Sequence, residues 1–135
     1  MNNRELLVSS FEYKTKVAMP FHRMCSLRRK LIEEESMEVE DELAKIAYLT
    51  ERLYKPSFTD EAALLKELCD LQYVLSGTIY EMGLSPVFDE AFQRVHDNNM
   101  SKIKDGFVVR EDGKVTKPKD YKKVELEDLI AKVRS

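Results

Sequence analysis

The thirty-five residues between Pro20 and Pro56 contain neither glycine nor proline, and their apolar members recur at helical spacing. Leu27, Leu31, Val39, Leu43, Ile46, Leu49 and Leu53 trace one broad stripe, which predicts a single long helix from about His22 to Leu53. No other feature limits the fold as much. With four Gly and four Pro in 135 residues there is little punctuation for a loop-rich or many-stranded protein, so the expected class is all-α.

The same helix carries an anomaly. Residues 33–42 hold seven acidic side chains and no basic one. At about 100° per residue, Glu33, Glu40 and Asp41 point to water and Glu34 lies at the edge of the apolar stripe. Glu35, Glu38 and Glu42 fall within it. A run that served only solubility would keep its charges on the outer face. An unpaired inward carboxylate costs several kcal/mol or takes up a proton, unless a cation supplies the missing charge.

Leu6, Leu7 and Phe11 mark a short first helix that ends before Pro20. "YKPSFTD" breaks the long helix, with Asp60 or Thr59 to cap the next one. "EAALLKELCDLQYVLSGTIYEM" predicts about six helical turns stopped by Gly83. Ser85 as N-cap and Pro86 at the first helical position start another helix that reaches about Lys102. Beyond Lys104, alternating β-type residues flank Asp112-Gly113, giving either a small ribbon or a plain turn. "VELEDLIAKVRS" is helical by spacing. The expectation is one domain over 1–135: a four-helix-bundle-like core at about 22–104 and a basic C-terminal arm, 105–135, with a short hairpin in it.

The formal net charge of −3 hides a segregation, because residues 101–123 carry eight Lys/Arg against four acids. That suits a site gathering cations at one end and anions at the other. It is unlike the one-signed basic footprint of a duplex DNA binder, so no nucleic-acid partner is expected. Cys25 and Cys69 lack metal or redox spacing and read as reduced, small, buried side chains. The first residues contain no uninterrupted apolar run, so no targeting or membrane segment is expected and the cytoplasm is the expected location. His22 and His96 are isolated and read as surface or hydrogen-bonding residues.

Glu67 and Asp70 in "KELCDL" are three apart and so share one side of their helix. Paired antiparallel, the two helices would bring Glu35, Glu38, Glu67 and Asp70 together. Four oxygen ligands without His or Cys suit Mg²⁺, or Mn²⁺ in its place, rather than structural zinc. Mg²⁺ commonly shares its shell with substrate phosphates. Asn99 and Lys102 continue the stripe of Val87, Ala91 and Val95, and the arm beyond adds Lys104, Arg110, Lys114, Lys117 and Lys119.

"EESMEVEDEL" followed by "KELCDLQYVLSGTIYEMGL", with "VHDNNMSKIKDG" and "REDGKVTKPKDY" downstream, resembles the MazG-like all-α nucleoside triphosphate pyrophosphohydrolases, in the phosphoribosyl-ATP pyrophosphohydrolase-like branch. The likeness spans about Ser26 to Tyr121. It implies a Mg²⁺-dependent enzyme that splits an NTP or dNTP between its α and β phosphates, working as a homodimer or dimer of dimers. By the match, Glu35, Glu38, Glu67 and Asp70 would ligate the metal, and Glu34 would help activate the attacking water or complete a metal site. Asn99 and Lys102 would contact sugar or phosphate, and Arg110, Lys117 and Tyr121 the phosphate tail and lid.

Two other functions compete. One is hydrolysis of phosphoribosyl-ATP in histidine synthesis; the other is a non-catalytic helical module whose acidic face binds a basic partner. Salt bridges to Arg28, Arg52 or another chain are the plain structural use for the four acids, and Glu42 is expected to pair with a basic side chain. Phe11, Phe21 and Tyr73 are the candidate aromatics for stacking on a nucleobase.

Overall fold

The computed structural model describes residues 4–7, 19–103, 109–116 and 121–135. Among these, every regular element is helical, and the fold is all-α. Residues 4–7 form one helical turn, while Phe11 lies outside the described residues. The helices are α1, Phe21–Glu51; α2, Phe58–Glu81; α3, Ser85–Ser101; and α4, Glu127–Arg134. The chain divides into two compact units, Met1–Met82 and Gly83–Ser135.

The first unit is built on the α1–α2 hairpin. The long helix stops at Glu51, two residues before the sequence stripe runs out. The reason is local: Leu53 takes a left-handed φ of 62° and Tyr54 N–H returns to Leu49 O at 3.0 Å, closing the helix end. Leu53 is therefore not a core residue but is 94% exposed.

The start of α2 also differs from expectation. Ser57 is the N-cap: its Oγ accepts from Asp60 N–H at 3.1 Å, and Asp60 Oδ2 accepts from Ser57 N–H at 3.0 Å. Asp60 is thus the reciprocal member of a capping box rather than the cap. The Ser57 amide, ahead of the nearby Lys45, holds the Asp60 carboxyl below the usual range.

The register across the hairpin is antiparallel. Lys45 Nζ lies 3.5 Å from Asp60 near the turn. Glu38 faces Glu67 further along, and Arg28 feels the charge of Glu81 at the open end. Arg28, Val39, Ser76 and Gly77 are buried along the two helices.

In the second unit, Gly83 adopts φ +70°, the left-handed geometry that stops α2, and a Cβ there would meet Arg134 Nη1 at 3.2 Å. Leu84, not Ser85, is the N-cap of α3, with Pro86 in the first turn. Arg94 on α3 holds Asp128 on α4 through Nη1 and Nη2 at 2.7 and 2.8 Å. It also reaches Glu90 at 3.0 Å and the Glu125 carbonyl at 3.3 Å. Val87 and Leu129 are both 3% exposed. Between the helices, the hairpin signal resolves, among the described residues, to one antiparallel bridge, Val109 with Val115. Arg110 N–H donates to Lys114 O at 2.7 Å, and Gly113 sits at φ +87°.

Candidate functional site

Glu35 and Glu38 come from α1, and Glu67 and Asp70 from α2. One carboxylate oxygen of each lies within 4.8 Å of the others. The spacing causes this: three residues on a helix subtend about 300°, so each pair flanks the hairpin seam, and the antiparallel register sets the two pairs opposite. Glu35, Glu67 and Asp70 are half-buried while Glu38 is exposed, so the group opens to solvent on the Glu38 side.

The group is short of positive charge. Oε2 of Glu35 and Oε2 of Glu67 are buried without a conventional hydrogen-bond donor. The proton that can bridge them is one on Glu38, whose pKa is pushed up to about 7. The largest cause is a hydrogen bond shared with Glu67, followed by the Glu35 charge, the Glu67 charge and a hydrogen bond with Glu35. Lys66 gives partial relief from the flank of α2, with Nζ 2.7 Å from Asp70 Oδ2 and 3.4 Å from Glu67 Oε1. Sequence reasoning missed it, although a base four residues before Asp70 and next to Glu67 was the available signal.

Arg28 and Arg52 do not pair with these acids. Arg52 stacks 3.6 Å over the Tyr48 ring and reaches Glu51, and buried Arg28 keeps Nε and Nη1 without partners. Burial lowers its pKa and the Glu81 charge opposes that. Glu42 Oε2 is buried without a hydrogen-bond partner, so the basic partner expected for it is absent among the described residues. Glu34, Glu33, Glu40 and Asp41 are all exposed on α1.

A cavity of about 330 Å³ is lined by Leu6, Leu68, Cys69, Gln72, Tyr73 and Ser76. These α2 positions centre on the side opposite Glu67 by helical angle, and Tyr73, three residues after Asp70, lies on the Asp70 flank rather than beside Glu67. Phe21 is 64% exposed at the first residue of α1. Cys25 and Cys69 are free and exposed, contrary to the buried role their type suggested. His22 and His96 are exposed.

In the second unit, Lys102 Nζ donates to Asn99 Oδ1 at 3.0 Å and lies 5.2 Å from the Tyr121 ring centroid. Tyr121 OH donates to Asn98 Oδ1 at 2.8 Å, and Asn98 Nδ2 donates to Lys122 O at 2.6 Å. Asn99, Lys102 and Tyr121 are therefore gathered at the end of α3. Arg110 lies in the bridged turn, 3.2 Å from Asp112. Lys117 lies outside the described residues.

Residues 12–99 match the phosphoribosyl-ATP pyrophosphohydrolase family, which takes in both acidic pairs and Asn99. The chain belongs to that family. Its activity is of the pyrophosphohydrolase type and its substrate class is a nucleotide. None of the curated proteins compared matches the chain. No described helix is long and apolar enough to cross a membrane.

The donor set fits the metal dependence typical of such enzymes. Four carboxylates with two orphaned inner oxygens and a proton held near pH 7 form a group that a hard divalent cation would neutralise.

Proposed function

We propose that the protein hydrolyses a nucleoside or deoxynucleoside triphosphate between its α and β phosphates, giving the monophosphate and pyrophosphate. The observation that carries this reading is the convergence of Glu35, Glu38, Glu67 and Asp70 within 4.8 Å, in a chain of pyrophosphohydrolase family. These four residues hold Mg²⁺, with Mn²⁺ as a substitute. When bound, the cation offsets charge developing on phosphoryl oxygens and makes a nearby water more acidic.

The remaining roles belong to the chain's own side chains. Glu34, exposed beside Glu35, accepts the proton of the attacking water. The water oxygen bonds to the α phosphorus as the bond from that phosphorus to the bridging oxygen breaks, and pyrophosphate departs. Lys102 and Asn99 contact sugar or phosphate, and Arg110, Lys117 and Tyr121 serve the phosphate tail. The chain acts as one domain in a homodimer or dimer of dimers, in the cytoplasm.

The family match favours a second substrate, phosphoribosyl-ATP, which carries the same triphosphate. The test is pyrophosphate release from a panel of NTPs, dNTPs and phosphoribosyl-ATP with Mg²⁺, using wild type and Glu38→Gln. Turnover of one panel member by wild type, falling at least about a hundredfold in the variant, is expected. Inertness towards every nucleotide would leave the non-catalytic acidic module as the surviving alternative.

A further inference from the structure

Lys66 is the basic side chain among the described residues that reaches the four-carboxylate group, and no step above uses it. It is 66% exposed, whereas Glu67 is 16% and Asp70 37% exposed, so the ammonium reaches in from solvent over acids that are partly sunk. The pair is also in the weaker order for a helix, base before acid at i,i+4. Helix stability alone is therefore a poor reason for it. Asp70 first, then Glu67, hold the ammonium well above the usual lysine range. Three other bases of the hairpin are placed elsewhere: Lys45 on Asp60, Arg52 on Glu51 and Tyr48, Arg28 buried opposite the Glu81 charge.

We propose that Lys66 is a resident counter-ion of the group, bridging Asp70 and Glu67 in the metal-free protein and displaced from Asp70 when a divalent cation binds. The inference rests on the metal reading above. A carboxylate oxygen turned to a hard cation gives up its hydrogen bond to an ammonium on the same side. The divalent charge attracts it more strongly at equal distance, while an exposed lysine loses little by returning to water. Lys66 thus limits repulsion in the empty group and weakens cation affinity by competition.

Calorimetric titration of the 135-residue chain with Mn²⁺ and Mg²⁺ tests this, comparing wild type with Lys66→Met, Lys66→Arg and Lys55→Met. Lys66→Met should bind the cations up to about fivefold more tightly, the range that loss of an exposed ion pair allows. Lys66→Arg keeps the competitor and should stay within about twofold of wild type. Lys55→Met removes the same charge from the exposed α1–α2 connection without touching the group, and should also stay within about twofold. Unchanged or weaker binding in Lys66→Met, with wild type binding normally, overturns the counter-ion role and leaves the metal reading standing. Equal tightening in Lys55→Met reduces the effect to net charge and overturns it too. No uptake by any of the proteins overturns the metal reading and this inference together.

Discussion

The raised pKa of Glu38 makes cation binding a proton-release reaction with a defined pH profile. A glutamate at its ordinary value of 4.5 is ionised throughout the neutral range, but Glu38 titrates at about 7. At pH 6 about nine tenths of it is protonated, and at pH 8 about one tenth. A ligating carboxylate must be deprotonated, so apparent Mg²⁺ affinity should fall about tenfold from pH 8 to pH 6, with close to one proton released per cation at the acid end. Titration calorimetry in two buffers of different ionisation enthalpy measures both quantities. In Glu38→Gln the slope between pH 6 and 8 should vanish, whatever affinity remains.

The same group sets the sign of a stability effect in the metal-free protein. Below about 4.5 both folded and unfolded chains hold the proton; above about 7 neither does. In between, the folded chain retains a proton that the unfolded chain has lost, so this group makes stability fall as pH rises through the window. Saturating Mg²⁺ should remove that slope. Affinity independent of pH between 6 and 8, or a slope that persists in Glu38→Gln, would show that the four carboxylates do not share a proton as described.

Three further outcomes concern the ends of the helices. Leu53→Gly should stabilise the protein by about 1 kcal/mol in urea melts, because it relieves a left-handed leucine that makes no core contact. Ser57→Ala should destabilise it by about 1 kcal/mol in the same assay through loss of the capping box. Asp128, lowered chiefly by its hydrogen bonds with Arg94, contributes stability that is present above the unfolded carboxyl pKa and lost as pH falls through its lower folded value. Asp128→Asn should therefore flatten the acid limb of the pH–melting curve, and hydrogen exchange should show α4 amides opening more readily.

Much of the hairpin was legible because two periods do not conflict in it. The apolar repeat of α1 and the i,i+3 acids on both helices select the same seam, so the meeting of the four carboxylates followed from angle and register. What the period could not see was set by single backbone or side-chain choices. Leu53 continues the repeat in sequence but falls after the chain has turned. Ser57 outcompetes Thr59 and Asp60 as cap because Asp60 is more useful three residues on, accepting from the cap's own amide. Glu42 lies on the inward face, but nothing in its spacing says whether a base will be opposite; none is found among the described residues. The cysteines were read by type, and type does not fix which side of a helix faces water.

The placement of the group along the hairpin has a mechanical consequence. Once all are ionised, four close carboxylates tend to push α1 and α2 apart, and the ion pair that spans the hairpin near its turn lies away from the group. Near the turn, Lys45 meets Asp60, which is itself fixed by the Ser57 capping box. At the open end, Arg28 is buried opposite the Glu81 charge. Because the box orders the first turn of α2, it orders the axial position of every later residue on that helix, Glu67 and Asp70 included. A one-residue slip of α2 would rotate Glu67 by about 100° and take it off the seam. The capping box and the Lys45–Asp60 pair, though distant from the group, thus help to hold the acidic pairs level.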